Sequence, residues 1–295
     1  MKAPGGLMPV QSSNSQVAQP QSSSGSRRLG AEVVSYYTSL LTHYGPQNWW
    51  PARSRIEVII GAYLTQNTNW SNVEKALKNL RRARMLSLRA LRRISLERLE
   101  ELIRPSGYYR QKARKLKTFV EFLDRSYSGS LTLMFAQPTK NLRAELLALN
   151  GVGPETADSI LLYAGGHPVF VVDAYTRRIL ERHRIINAKG AYEEIRALAE
   201  QAIQEAEAES LLASNPGLNP RHAVSRMSRA RRSPLAQHYN ELHALIVRIG
   251  SDHCRATASC EGCPLQKYLP SPELYNCSPG SRILQDQYVK TEPWG

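Results

Sequence analysis

Cysteine in this chain is confined to one stretch near the C-terminus. Cys254, Cys260, Cys263 and Cys277 are the only four in 295 residues, separated by five, two and thirteen positions. A chain that used cysteine for packing or for disulfides would scatter it. The rest must therefore be held by apolar cores, and its length allows one large or two modest ones. Four thiols in one loop suit a single tetrahedral centre, and a Cys₄ set takes either zinc or an iron–sulfur cluster. Only Cys260-Glu-Gly-Cys263 is a close pair, so spacing alone leaves the metal open.

Upstream lies Leu149-Asn-Gly151-Val152-Gly153-Pro154-Glu155-Thr156-Ala157, followed by Val171-Val172-Asp173-Ala174-Tyr175. Residues 143–149 read as a helix, with Leu142, Leu146 and Leu149 on one face. Gly151 and Gly153 then permit a tight turn with positive φ. Pro154 suits the first position of a second helix, where its missing N–H is no loss, and Ile160, Leu161 and Ala164 continue that helix's apolar stripe. Two helices joined by a Gly-x-Gly turn expose backbone amides at a helix N-terminus, where a phosphate can be held. Packing alone could equally require the glycines.

Helical spacing recurs over residues 31–44, 96–103, 109–127, 174–183, 192–205 and 235–249. Ser54-x-x-Glu57 and Ser71-x-x-Glu74 are capping-box patterns ahead of two further apolar stripes. Strand alternation is absent, so the fold class is all-α, with two helical domains. Residues 1–30, rich in Ser, Gln, Gly and Pro, read as a disordered tail. Residues 54–165 form a helical domain carrying the hairpin. Residues 31–53 and 166–295 form a discontinuous partner carrying the cysteine loop, with 206–234 a flexible basic insertion.

A formal charge of +14 favours a polyanion as partner. No apolar run reaches transmembrane length and the N-terminus has no hydrophobic signal core, so no membrane is expected. Reduced cysteine ligands point to the cytoplasm.

The hairpin, Asp173 placed 18 residues after Glu155, and the cysteine loop together resemble the endonuclease III superfamily of base-excision DNA glycosylases. The likeness runs from about Val33 to Cys277. It includes Ile59-Ile-Gly-Ala-Tyr-Leu-Thr-Gln66 and Gly107-Tyr-Tyr-Arg-Gln-Lys-Ala113. It implies a helix-hairpin-helix gripping DNA through Gly151 and Gly153, with Gln66 beside the lesion strand and Asp173 as the essential carboxylate. It also implies a [4Fe-4S] cluster on Cys254, Cys260, Cys263 and Cys277, although the long gap before Cys277 departs from the family spacing. The expected partner is double-stranded damaged DNA, met by a monomer.

Where bifunctional members of the family carry a lysine, this chain has Glu155. A carboxylate cannot form the Schiff base that drives strand cleavage, so the resemblance implies a glycosylase without an efficient lyase step. Glu155 also suits the first turn of a helix on electrostatic grounds alone. Trp49-Trp50-Pro51 and Trp70 flank one predicted helix, either as packing or as a stacking pocket for an extruded base. With Thr65-Gln-Asn-Thr68 and Glu155 they resemble the 3-methyladenine DNA glycosylase III branch, whose pocket is aromatic.

Asp173 would stabilise the oxocarbenium character of the sugar and orient water. It could also cap the helix that follows it. Two alternatives stay open: an endonuclease III-type lyase for oxidised pyrimidines, drawing its amine from Lys112 or Lys115, and a non-catalytic DNA-binding module.

Overall fold

The computed structural model describes residues 23–47, 49, 52–187, 189–212 and 225–270. Among these the chain is helical and contains no strand; its only β-type pairing is the isolated bridge Cys254–Ala258. Helix α1 spans Ser23–Tyr44, α2 Arg55–Leu64, α3 Trp70–Arg82, α4 Leu88–Arg93, α5 Leu96–Ile103 and α6 Tyr109–Tyr127. They are followed by α7 Leu131–Phe135, α8 Thr139–Leu147 and α9 Pro154–Ser159, which runs into a π-helical turn over Ile160–Gly165. Helices α10 Ala174–Arg182, α11 Tyr192–Ala208 and α12 Pro234–Asp252 complete the set.

Short polar residues define most of these helices. Ser87, Ser95, Ser130 and Ser233 each accept the third backbone N–H of the helix that follows, relieving an otherwise orphaned donor. Ser54 caps α2 as its pattern predicts, but Glu57 does not close the reciprocal bond. Its carboxylate accepts from Arg53 N and pairs with Arg81. The second predicted box shifts by two residues: α3 is capped by Asn69, whose Oδ1 accepts from Asn72 N at 3.1 Å, while Ser71 donates to that same oxygen. Helix α1 begins at Ser23, inside the segment read as tail.

Helix α1 packs on α11 and α12, and α12 on α10; α2 packs on α3, α6, α9 and the π turn, and α5 on α6. The π turn touches both α2 and α12, so it lies at the seam between these two groups. One apolar cluster runs through both, from Tyr37 and Leu40 to Ile59, Leu123, Leu161, Phe170 and Leu245. The 206–234 stretch is only partly the loose insertion expected. Met227 is buried and donates its N–H to Ala52 O, and Arg232 binds back to Met227 O at 2.9 Å. No helix among the described residues is long and apolar enough to cross a membrane.

Candidate active site

The predicted hairpin joins α8 to α9. Gly151 takes φ +76°, a left-handed geometry that favours glycine, whereas Gly153 is extended at φ −89°. The expectation of two left-handed glycines therefore holds only for the first. A Cβ on Gly153 would meet nothing within 4 Å, so its outer side is open. Pro154 occupies the first turn of α9, as predicted, with Glu155 beside it. Gln66, from the α2–α3 loop, donates to Gly151 O and to Thr156 Oγ1, both at 3.0 Å. Lys115 on α6 in turn donates to Gln66 Oε1 at 2.9 Å.

Asp173 stands at the start of α10, after the buried run Val169–Val172. Its Oδ1 accepts from Thr176 N at 2.7 Å and from Thr176 Oγ1 at 2.8 Å, so the capping role is real. Val172 N donates to Tyr192 OH, which donates to Asp158 Oδ2; Arg143 grips Asp158 from α8. The backbone leading to Asp173 is thereby tied to the hairpin helices. Asp173 Oδ2 lies 3.7 Å from His243 Nε2. His243 Nδ1 and Tyr163 OH form a hydrogen bond. Burial raises the Tyr163 hydroxyl well above its ordinary pKa; Asp173 adds to this, Arg232 opposes it and Glu155 adds to it again.

Trp49 and Trp70 come together, with ring centroids 6.2 Å apart and planes at 41°. Trp70 opens α3 and its Nε1 donates to Glu74 Oε1, while Trp49 O accepts from Asn240 on α12 at 2.9 Å. Both rings are half-buried against the core. Next to Asn240, the buried Glu241 accepts from Gln47 N, and burial pushes its carboxyl up to about 7. Trp50 and Pro51 lie outside the described residues.

Cys254, Cys260 and Cys263 follow α12 in one loop. Arg182, closing α10, places Nη1 3.1 Å from Cys254 Sγ and also binds Arg255 O and Ala256 O; Arg178 binds Cys254 O. The donor type suits an iron–sulfur cluster or zinc, while the described residues gather no set of three potential ligands. Cys277 lies outside them.

Neither lysine of the alternative reading is at leisure. Lys112 is 2% exposed and donates to Leu64 O and Ser106 O, with burial lowering it to about 8. It ties α6 to the end of α2 and to the turn ahead of α6. Sequence reading missed His243 and Tyr163, whose helical spacing marks them only as core-facing residues. It also passed over Tyr108, which is 64% exposed at φ +44° ahead of α6. A non-glycine residue in that region marks strain, but nothing in its sequence context signals the conformation.

The model of the HhH-GPD superfamily base excision DNA repair proteins matches residues 60–205. The protein named "Putative DNA repair glycosylase MJ1434", from Methanocaldococcus jannaschii, is 40% identical over 240 residues, which is 81% of this chain and 96% of that protein. Among solved structures, the H. pylori 3-methyladenine DNA glycosylase (MagIII) bound to 1,N6-ethenoadenine is 29% identical with a TM-score of 0.61. That alignment covers 77% of this chain and 97% of the other. A trapped endonuclease III–DNA covalent intermediate aligns at 20% identity and TM-score 0.59, over 82% of this chain and 95% of that one, a likeness of fold. The chain belongs to the HhH-GPD superfamily of base excision DNA repair proteins, within which it is a DNA repair glycosylase.

Proposed function

We propose that this glycosylase is monofunctional and releases alkylated purines from double-stranded DNA, with water rather than an amine attacking C1′. Glu155 carries the reading. The first turn of the hairpin helix holds a carboxylate, which cannot form the imine of a lyase. The likeness to a 3-methyladenine glycosylase supports the base class. So does the Trp49–Trp70 pair, because indole faces attract a cationic base drawn out of the duplex.

Breaking the N-glycosidic bond builds positive charge on the sugar. Asp173, held by Thr176, offers a fixed negative charge to stabilise it and to orient the water. A methylated purine leaves as a neutral base and needs no strong acid. Amides of the turn at Gly151 and Gly153 grip the phosphate backbone. Residues 31–53 and the described part of 166–270 make one lobe in this reading, residues 54–165 the other, and DNA lies across their seam. Cys254, Cys260, Cys263 and Cys277 hold a [4Fe-4S] cluster that shapes a DNA-facing loop. Arg182 ties that loop to the helix that starts at Asp173.

A second reading, a lyase for oxidised pyrimidines, has Lys115 as its nucleophile. That lysine lies against Gly151, and burial lowers its pKa, which favours a free amine. One experiment separates the two. Duplexes carrying 3-methyladenine or an oxidised pyrimidine are incubated with enzyme, with and without borohydride. Release of 3-methyladenine, leaving an unbroken abasic strand and no trapped adduct, supports the proposal. Excision of the pyrimidine with trapping abolished by Lys115→Met overturns it. Trp49→Ala and Trp70→Ala are expected to weaken action on the alkylated base by roughly 1–3 kcal/mol each.

A further inference from the structure

Asp173 uses its two oxygens differently. Oδ1 takes both bonds from Thr176 and is committed to the helix cap. Oδ2 takes neither, and faces His243 Nε2 at 3.7 Å. His243 is buried, and its Nε2 makes no hydrogen bond among the described residues.

On the far side of the ring Nδ1 meets Tyr163 OH, while the edge of Phe170 packs on the ring with centroids 6.3 Å apart. Three elements meet at the imidazole: α10 contributes Asp173, the π turn Tyr163, and the run before Asp173 an apolar ring. Arg232 and Glu155 act on the assembly through Tyr163.

The ring's protonation follows from these contacts. Burial lowers the pKa of His243 and raises that of Tyr163, so the imidazole is neutral and the phenol keeps its proton. Placing the imidazole lone pair against a carboxylate would be repulsive. The tautomer that avoids this accepts from Tyr163 at Nδ1 and carries its proton on Nε2, aimed at Oδ2.

We propose that His243 is a positioning residue for Asp173, presenting an Nε2–H donor to Oδ2 and held in that tautomer by Tyr163. The proposal rests on Asp173 being the catalytic carboxylate. A closure of about 0.7 Å brings the pair into hydrogen-bond range, and such bonds commonly tighten only once substrate is bound. Charge decides why a neutral donor serves here. An imidazolium would cancel the negative charge that the sugar cation requires, whereas a neutral N–H fixes the carboxylate and leaves its charge intact.

The test measures single-turnover base release against pH for wild type, His243→Phe, His243→Gln, Tyr163→Phe and Asp173→Asn. It is paired with nitrogen-15 NMR of the His243 ring. Loss of the donor in His243→Phe is expected to slow release about 10- to 100-fold at unchanged DNA affinity. It is also expected to move the acid limb of the pH–rate profile, which a merely structural role would leave in place. His243→Gln, which keeps an N–H, recovers most of the rate, and the wild-type ring shows the proton on Nε2.

A folded His243→Phe with wild-type rate and acid limb overturns the positioning role, as does a ring protonated on Nδ1. Should His243→Phe fail to fold, the NMR tautomer and the acid limb of Tyr163→Phe decide. An active Asp173→Asn removes the Asp173 reading itself. An inactive one beside an unaffected His243→Phe removes only the role of His243.

Discussion

Lys115 lies directly across Gly151: a Cβ placed on that glycine would fall 2.1 Å from Lys115 Cε. Two independent demands therefore fix the residue, since its φ of +76° also disfavours any side chain. Gly151→Ala is expected to displace Lys115, break its bond to Gln66 and cost roughly 1–3 kcal/mol. Gly153→Ala is the control, because that position is extended and a Cβ there has open space. If the open side of the turn is where phosphate sits, Gly153→Ala keeps its melting temperature and loses DNA affinity. Gly151→Ala loses both. Thermal melting beside fluorescence-anisotropy titration with duplex DNA distinguishes the pair.

Glu241 predicts a pH dependence of stability. Its carboxyl is 1% exposed and burial raises it from 4.5 to about 7, with the Gln47 N–H acting against the shift. Between those values the folded state binds the extra proton, so stability falls as pH rises from about 4.5 to 7, and the penalty is fully present above 7. Glu241→Gln keeps an oxygen for Gln47 N but loses the buried charge. It is expected to flatten that segment of the melting-temperature profile and to stabilise the protein at pH 8, by about 1–3 kcal/mol. A profile unchanged by the substitution would assign the slope to other groups.

The cysteine loop predicts a colour. Purified protein is expected to be brown, with broad absorbance near ~400 nm and about four irons per chain. Stoichiometric zinc in colourless protein would instead assign the site to that metal. Cys260→Ser should cost folding as well as DNA binding, because metal ligation is coupled to folding. Arg182→Met, which removes three bonds to the loop, should leave the metal content unchanged and lower the melting temperature.

How far the sequence could be read follows from the kind of signal each residue gives. Helices α5 and α6 match their predicted spans, because amphipathic spacing is a local signal. The Asp173 cap and the Gly-x-Gly-Pro turn were legible for the same reason: each is built from its own neighbours in the chain. His243 was not, since it reaches Asp173 only after α12 packs on α10. Lys112 is the opposite case. An isolated lysine looks available for chemistry, and only the fold shows its ammonium spent on two carbonyls.

Position 155 separates the two catalytic modes. Glu155 sits in the first turn of α9, where its negative charge is favoured by the helix N-terminus. Burial raises the pKa of Tyr163 and of Tyr192, and the Glu155 charge adds to both. Glu155→Lys puts an amine where the bifunctional members of the family carry one, at a cost to the helix end of about 0.3–1 kcal/mol. With Asp173 intact, that amine is expected to attack C1′ and yield a borohydride-trapped adduct that wild type does not give. Strand nicking should follow without alkali, at a rate far below base release. Absence of any adduct from a folded Glu155→Lys would mean that residue 155 does not face the sugar. The loss of lyase chemistry would then have to lie elsewhere than in Glu155.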